Sequence, residues 1–422
     1  MNRSRVPRRV VFVMGTFLIS VLLYVDRACI SAAKDSVTGG LGLDDKQWGW
    51  VLAAFAFGYA LFQVPGGALA DRFGPRALLT IVVSAWSLFT GLTGAAWNYV
   101  SLLVCRFLFG AGEAGAFPAM ARAAYSWIPM RERGVVQGIN FSGSRIGGAL
   151  AMPLVAMMIK ALEWRLSFAI LAAVGLAFAI VWHRWFRDEP ADLPGMSEEE
   201  LTYILETRQK ASPEREATAR LSAGILLGSK NMWLAMVQYI ASNFTFYFAL
   251  MWAFPYLKQR YDLDMLWAGC ATAVPLLCGA LGNWVSGAMV DWVYRRGHWK
   301  ISRRLPAMVG FALAAAGMMA LGNVDNVYTG VLFLSIAVFG ADMTLSPSWS
   351  FCVDIGRKNA GAVSGTMNMA GNFSACFTLL AFPYMSDWTG SEVRYFMVAA
   401  GLNIFAIVVW MYMRPDKVLE EY

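Results

Sequence analysis

The sequence contains the stretch Gly67-Ala-Leu-Ala-Asp71-Arg72-Phe-Gly74-Pro-Arg76 directly after a long apolar run. A related stretch, Gly287-Ala-Met-Val-Asp291-Trp-Val-Tyr-Arg295-Arg296-Gly297, follows another apolar run 220 residues later. Both stretches place a glycine four residues before an aspartate, and both place arginines shortly after it. This recurrence predicts a chain made of two related halves.

The composition predicts a membrane protein. Of the 422 residues, 58% are hydrophobic and only 15% are charged, whereas soluble proteins carry roughly 25% charged residues. Apolar stretches of about twenty residues are long enough to span a bilayer. Twelve such segments are recognised: 10–32, 47–70, 77–96, 98–120, 135–160, 164–186, 232–256, 266–290, 304–323, 328–353, 360–385 and 393–413. We therefore predict an all-α membrane protein with twelve transmembrane helices in two pseudo-symmetric six-helix bundles.

The first segment follows an arginine-rich start and so has some features of a signal peptide. It runs on into Asp26-Arg27, however, and at least ten comparable segments come after it. We therefore assign it as the first transmembrane helix.

The basic residues predict the orientation of the chain. With the N-terminus in the cytoplasm, 24 Lys and Arg fall in cytoplasmic segments and seven in outer loops. This excess satisfies the positive-inside rule and places both termini in the cytoplasm of a bacterial inner membrane. The predicted organisation is an N-terminal bundle over 1–187, a cytoplasmic linker over 188–230 with a short surface helix near 197–210, and a C-terminal bundle over 231–422.

Several classes of function are disfavoured. The six cysteines lie in apolar segments at unrelated spacings and only two histidines are present, so we expect no metal, no cofactor and no disulfide framework. The same counts argue against a membrane-embedded enzyme, and the absence of a GxxxxGK[ST] loop argues against an ATP-driven pump. The net charge of +7 lies in short clusters between apolar segments, which indicates topology rather than nucleic-acid binding.

Charged residues inside the predicted spans are candidate functional residues, because each costs roughly 2.5–3.5 kcal/mol to insert at mid-bilayer. Six positions qualify: Asp26, Arg27, Arg106, Glu113, Arg145 and Asp342. Arg106 and Glu113 are seven residues apart and share a helix face, two turns from each other. With no histidine in any stretch predicted to line a cavity, protons must be carried by carboxylates, whose pKa responds to burial and to nearby arginines. A purely structural ion-pair role remains the alternative.

These features resemble the major facilitator superfamily, through the loop at 67–76 and its second copy. The resemblance implies a cytoplasmic gate that holds the outward-facing state. The residues it would involve are Gly67, Asp71, Arg72, Arg76 and, in the second copy, Asp291. Since Trp292 stands where the first copy has Arg72, we expect the second lock to be weaker.

The chain is more closely similar to the anion:cation symporter family, which includes hexuronate and galactonate transporters, sialin and vesicular glutamate transporters. The likeness rests on these stretches: Tyr24-Val25-Asp26-Arg27, Gly58-Tyr59, Pro65-Gly66-Gly67, Arg106 through Pro118, Trp164-Arg165, Arg187-Asp188-Glu189-Pro190 and Gly365 through Asn372. It implies that Asp26 and Glu113 carry protons and that Arg27 anchors the substrate anion. Arg106 is then expected to act as a switch on Glu113.

The substrate site is predicted in less detail. The family's substrate positions fall on Tyr59, Ser346, Ser348, Trp349 and Asn368. Tyr24, Tyr247, Asn243 and Asn372 are further polar candidates, although polar residues here can equally join helices. Where sugar-acid transporters carry Gln in the fifth helix, this chain has Ser144 followed by Arg145. Arg145 either pairs with Asp342 or holds a second acidic group of the substrate, which would favour a dicarboxylate.

The resulting hypothesis is a monomeric, proton-coupled symporter. It would import a small organic anion, such as a hexuronate, aldonate, aldarate or similar carboxylate, by alternating access. The alternative is a drug or organic-anion/proton antiporter, which the same acids could serve. Three arginines inside the membrane favour an anionic cargo.

Overall fold

The computed structural model describes residues 6–209, 223–263 and 265–419. Within these residues the chain is helical and contains no β-strand. The helices before residue 210 are α1 (Arg8–Ala32), α2 (Lys34–Leu41), α3 (Asp45–Phe73), α4 (Pro75–Gly94), α5 (Tyr99–Glu113), α6 (Ala116–Trp127), α7 (Arg133–Trp185) and α8 (Glu198–Thr207). The remaining helices are α9 (Ala223–Gly228), α10 (Lys230–Tyr247), α11 (Ala253–Arg260), α12 (Met265–Arg295), α13 (Trp299–Leu321), α14 (Val327–Met343), α15 (Leu345–Gly356), α16 (Ala360–Thr389) and α17 (Val393–Tyr412).

Each of the twelve predicted segments overlaps one or two of these helices. Across the described residues, ten helical stretches are long and apolar enough to cross a membrane. One of them, Val327–Ala375, covers segment ten and the first part of segment eleven, and another, Met157–Trp185, covers segment six. The whole of α7 covers segments five and six and bends at Glu163. The short helix predicted in the linker is present as α8. Residues 210–222 of the predicted linker lie outside the described residues.

Local sequence explains several helix ends. Asp44 and Gln47 form a capping box that opens α3, in which the Asp44 carboxylate accepts from the Gln47 amide at 2.7 Å. Gly74 closes α3 with a φ of 84°, and Pro75 occupies the first position of α4. Glycine tolerates this left-handed φ and proline is pre-set for a helix start. The two helices are thereby joined by a single residue, which fixes Asp71 and Arg72 at a tight turn.

The chain divides into two compact units. Unit 1 comprises Met1–Met130, Ile146–Glu216 and Gly356–Thr366, and unit 2 comprises Arg131–Arg145, Ala217–Ile355 and Met367–Tyr422. The first residues of α7 therefore pack within unit 2, and the first residues of α16 pack within unit 1.

Close glycine contacts hold the helices of unit 1 together. A Cβ on Gly58 of α3 would overlap the carbonyl oxygen of Phe107, and one on Gly110 of α5 would overlap that of Phe55. This reciprocal contact lets α3 and α5 approach at backbone distance, as small residues do in membrane helices. It places the rings of α3 beside the charged residues of α5.

Unit 2 is built around α14, which packs along α12 and α13. An aromatic cluster of Phe248, Phe382, Tyr395 and Phe396 fills its interior near the junction of α10 and α11. At that junction, residues Phe248–Trp252 form a π-helical turn. Such turns are frequent at functional sites.

Candidate anion and proton site

Unit 1 brings Arg27 of α1 and Glu113 of α5 into an ion pair. The Glu113 side chain is fully buried, while that of Arg27 is 17% exposed. Sequence proximity suggested Arg106 as the neighbour of Glu113, but the structure gives Glu113 the helix-1 arginine as its direct partner. The predicted anion anchor and a predicted proton carrier are therefore bound to each other.

Aromatic rings surround the Arg27 guanidinium. Its Cζ lies 4.3 Å from the ring centroid of Tyr59, 5.0 Å from that of Tyr24 and 5.3 Å from that of Phe55. Rings at these distances attract a cation through their quadrupoles. These rings hold the guanidinium in place without taking up hydrogen-bond donors, and its Nε donates to Glu113.

Arg106 lies in the same aromatic neighbourhood, with its Cζ 5.0 Å from the Phe55 centroid and 4.7 Å from that of Phe109. Its Nε makes no hydrogen bond to the described residues, and neither does Oε2 of Glu113. Asp26 is buried at 3% exposure on α1. The cluster thus contains two arginines and two carboxylates, and Arg106 and Glu113 have unused hydrogen-bonding capacity.

Sequence reasoning missed Phe55, which contacts both arginines. The sequence indicates its place only through its spacing, since Phe55 lies four residues before the predicted site residue Tyr59 and so shares its helix face. The two rings stack at 5.8 Å between centroids.

The first Gly-x-x-x-Asp element caps a helix within unit 1. The Asp71 carboxylate accepts from the backbone amides of Gly361 and Ala362 at 2.9 and 2.7 Å. A Cβ on Gly67 would overlap the carbonyl oxygen of Gly361. Asp71 therefore supplies the negative cap for the start of α16, where free amides and the helix dipole favour an anion.

The second element does the same within unit 2. The Asp291 carboxylate accepts from the amides of Gly134 and Val135, both at 2.8 Å, at the start of α7. A Cβ on Gly287 would approach the Gly134 carbonyl oxygen at 2.6 Å. These contacts are present although Trp292 stands where the first copy has an arginine. The centroid of the Trp292 ring lies 3.5 Å from the Arg296 Cζ.

Arg72 and Arg76, the two arginines that follow Asp71, differ from each other in their contacts. The Arg72 guanidinium lies 5.0 Å from the Phe73 ring centroid. The Arg76 guanidinium donates twice to the His183 carbonyl, at 3.0 and 2.8 Å, and its amide donates to Asp188 Oδ1 at 2.7 Å. Burial raises the pKa of the Asp188 carboxyl, while the Arg76 amide and nearby arginines oppose that rise.

Replacing either aspartate by alanine is expected to destabilise the protein. Each change removes the acceptor of two helix-start amides, and loss of such a cap costs about 0.5–2 kcal/mol. The thermal unfolding midpoint of purified Asp71→Ala and Asp291→Ala should therefore fall, while Asp192→Ala, at an exposed position, should match the parent protein. Unchanged midpoints in both variants would contradict the capping role.

In unit 2, Arg145 and Asp342 form a two-pronged ion pair. Arg145 Nε and Nη2 donate to the two carboxylate oxygens of Asp342 at 2.8 and 2.6 Å. The Phe246 ring centroid lies 3.8 Å from the Arg145 Cζ. Of the two alternatives left open by the sequence, the structure contains the pairing of Arg145 with Asp342.

The two buried acids occupy related sequence positions. Glu113 and Asp342 each lie five residues before a proline, Pro118 and Pro347 respectively. The triplet Phe-Gly-Ala begins at 109 before the first acid and at 339 before the second. This internal likeness indicates that the two acids occupy related places in the two halves of the sequence.

The other predicted polar residues of unit 2 lie in hydrogen-bonded groups. The Ser346 hydroxyl donates to the Gly134 carbonyl at 2.6 Å, and the Ser348 hydroxyl donates to Gln238 Oε1 at 3.1 Å. Tyr247 donates to Asn372 at 2.9 Å, and the Asn372 side chain donates to the Asn368 carbonyl at 2.8 Å.

Trp349 contacts two aromatic residues in unit 2. Its Nε1 donates to the Tyr239 hydroxyl at 3.1 Å, and its ring lies 5.2 Å from that of Phe141. The Asn243 side chain donates to the Tyr239 carbonyl at 2.8 Å. Tyr239 was not among the predicted residues, although its spacing of four from Asn243 places both on one face of α10.

Comparison with known proteins identifies the family. The family model described as Major Facilitator Superfamily matches residues 16–379. A probable sulfoacetate transporter of Cupriavidus necator is 31% identical, covering 98% of this chain and 95% of the relative. A hexuronate transporter of Bacillus subtilis is 28% identical over 96% and 94%, and a probable galactarate/D-glucarate transporter of Escherichia coli is 30% identical over 98% and 96%.

Solved structures share the fold. A proton:xylose symporter superposes with a TM-score of 0.76 at 17% identity, covering 98% of each chain. A fucose:proton symporter of E. coli superposes with a TM-score of 0.71 at 13% identity, covering 96% of this chain and 99% of the other. The predicted twelve-helix fold, and the predicted family of membrane transporters rather than enzymes, are thereby confirmed.

Proposed function

The chain belongs to the major facilitator superfamily, and we propose that it is a proton-coupled symporter that imports a small organic anion by alternating access. The proposed cargo is a carboxylate of the sugar-acid class. The observation that carries the proposal is the ion pair between Arg27 and the fully buried Glu113.

The pair can couple the anion to a proton. A substrate carboxylate that binds the Arg27 guanidinium through two parallel hydrogen bonds competes with Glu113 for the same donors. A buried carboxylate that loses its arginine is strongly destabilised in its charged form, so Glu113 then takes up a proton. Anion binding and proton binding thereby favour each other. Asp26 is the second proposed proton carrier, and Arg106 is proposed to favour the charged form of Glu113 when the substrate has left.

The names of the relatives support an anionic cargo. They are described as a hexuronate transporter, a probable galactarate/D-glucarate transporter and a probable sulfoacetate transporter, and all of these compounds are organic anions. We propose that the hydroxyl and aromatic groups of unit 1 that contact the substrate are Tyr24 and Tyr59. In unit 2, the proposed contacts are Arg145, Tyr247, Ser346, Ser348, Trp349 and Asn368.

The two capping aspartates support a gating role. Each holds the start of a helix by two hydrogen bonds, and such contacts can break and re-form during a transport cycle. We propose that Gly67, Asp71, Arg72, Arg76 and Asp291 form the cytoplasmic gate. We further propose that both termini lie in the cytoplasm of a bacterial inner membrane, which the 24 basic residues in the assigned cytoplasmic segments support, and that the working form is a monomer.

A proton gradient and a membrane voltage can both supply free energy for anion uptake. One proton moving down one pH unit supplies about 1.4 kcal/mol, and each net positive charge that enters gains about 2.3 kcal/mol per 100 mV. A monoanion that enters with one proton is electroneutral, so membrane voltage would help only if a second proton were carried. The two carboxylates of unit 1 provide room for that second proton.

The test is uptake by proteoliposomes. Acidifying the outside is expected to drive accumulation of labelled D-glucarate, D-glucuronate or sulfoacetate, and a proton ionophore should abolish it. Loss of preloaded anion under the same gradient would instead indicate an antiporter. Failure to move any of the three under either gradient would overturn the proposal.

Glu113→Gln is expected to reduce proton-driven accumulation at least tenfold, because a glutamine cannot carry the coupled proton. Exchange of internal for external anion, which needs no net proton movement, should persist. Glu199→Gln, an exposed change in α8, is the matched control and should accumulate substrate normally. Full accumulation by Glu113→Gln would remove Glu113 from the coupling mechanism.

A further inference from the structure

Unit 2 contains a basic cavity at the end where α10 begins and α17 stops. The cavity measures about 400 Å³. It is lined by Lys230, Asn231, Arg304, Met411, Tyr412, Arg414 and Lys417. None of these residues is among those assigned to transport.

Hydrogen bonds fix the backbone that forms the cavity wall. The buried Asn231 side chain donates to the Arg414 carbonyl at 2.9 Å and accepts from the Arg414 amide at 3.1 Å. The Arg304 guanidinium donates twice to the Met413 carbonyl, at 2.9 and 2.6 Å. The chain after α17 is therefore held against the ends of α10 and α13, and the cavity is a built feature rather than a loose surface cleft.

The charge of the cavity is strongly positive. Within the described part of the chain, four of its seven lining residues are Lys or Arg and none is acidic. The nearby Asp416 carboxylate pairs instead with Lys300, at 3.0 Å between Nζ and Oδ2. The start of α10 adds the positive end of a helix dipole. Like charges repel one another, so clustered basic side chains favour an anion bound among them.

The surroundings of the cavity are those of a membrane interface. α17 is one of the apolar stretches long enough to span a membrane, and Tyr412 is its last residue. Tyr412 is 61% exposed, Met411 56%, and Trp233, one turn into α10, 52%. Exposed Tyr and Trp at the end of a span are typical of the headgroup level, and the exposed apolar faces of α17 continue from there along the span.

We propose that this cavity binds the phosphate of an anionic phospholipid. Lys230 and Arg414 contact the phosphate, Arg304 and Lys417 complete the positive wall, and Met411 and Tyr412 lie against the glycerol and upper acyl chains. Basic pockets between membrane helices bind lipid headgroups in this manner. The same phosphate chemistry would suit a free phosphate ester, but the exposed apolar residues at the rim favour a ligand with acyl chains.

The experiment measures lipid binding by native mass spectrometry of the detergent-purified full chain. Phosphatidylglycerol and cardiolipin are expected to bind at least tenfold more tightly than phosphatidylcholine. The double variant Lys230→Gln/Arg414→Gln should weaken binding of the anionic lipids at least tenfold, because both side chains are exposed and their loss spares the backbone contacts. The variant Arg295→Gln/Arg296→Gln removes the same charge from an exposed site in the same unit and should change binding less than twofold.

Three outcomes would overturn the proposal. Equal binding of phosphatidylcholine would show that charge is not recognised, and equal losses in the two double variants would show general surface attraction. Displacement of the lipid by millimolar inorganic phosphate or glycerol phosphate would identify a free phosphate as the ligand. None of these readouts depends on transport, so the lipid site and the proposed symport are tested separately.

Discussion

Arg27→Met is expected to abolish anion uptake, with a fall of at least a hundredfold, and to destabilise unit 1. The variant removes the proposed anion anchor and leaves the fully buried Glu113 without its partner. Removing one member of a buried ion pair typically costs about 3–5 kcal/mol. Uptake in proteoliposomes and the thermal unfolding midpoint in detergent measure the two effects independently.

A second variant separates binding from stability. In Arg27→Met/Glu113→Gln a neutral amide replaces the Glu113 carboxylate that lost its arginine, so most of the lost stability should return. Uptake should stay absent, because the substrate still has no guanidinium to bind. Recovery of uptake together with stability would show that Arg27 serves only as a structural partner of Glu113.

A matched control lies in a surface pair. Arg260 contacts Asp325 at 2.9 Å, but its side chain is 41% exposed and that of Asp325 is 95% exposed. Exposed pairs contribute roughly 0–1 kcal/mol. Arg260→Met should therefore leave both uptake and the unfolding midpoint close to those of the parent protein.

Much of the fold could be predicted from the sequence because its causes are local. Long apolar segments become helices in a bilayer, since no other backbone conformation satisfies its own hydrogen bonds there. The Gly74-Pro75 pair marks the end of one helix and the start of the next for reasons of backbone geometry alone. The Gly-x-x-x-Asp repeat likewise indicated that Gly67 and Gly287 permit close contact.

The partners of the charged residues could not be predicted in the same way. Arg27 and Glu113 are 86 residues apart, and their pairing depends on how α1 lies against α5. The sequence placed Asp26 next to Arg27 and Arg106 on the same face as Glu113, which suggested other neighbours. Hydropathy also could not show that the first residues of α7 belong to unit 2 and those of α16 to unit 1, while the rest of each helix belongs to the other unit. That division depends on tertiary contacts.

The pair Arg145–Asp342 gives the second large expected effect. Asp342 is the only charged residue in the predicted segment 328–353, and its side chain is 1% exposed. Arg145→Met or Asp342→Leu alone should cost about 3–5 kcal/mol, since each strands a buried charge. The double variant replaces both charges with apolar groups and should be close to neutral, or more stable by up to about 4 kcal/mol.

The same double variant decides whether Arg145 also binds substrate. If Arg145 holds a second acidic group, Arg145→Met/Asp342→Leu should lose D-glucarate uptake at least tenfold and keep D-glucuronate uptake, because only the first is a diacid. Asp354, which binds Arg133 at 2.5 Å and Arg303 at 2.9 Å in a fully buried cluster of the same unit, supplies the control. Asp354→Asn should lower stability and leave the ratio of diacid to monoacid uptake unchanged. An unchanged ratio in the double variant as well would assign the Arg145–Asp342 pair to structure alone, because its charges would then be dispensable once both are removed together.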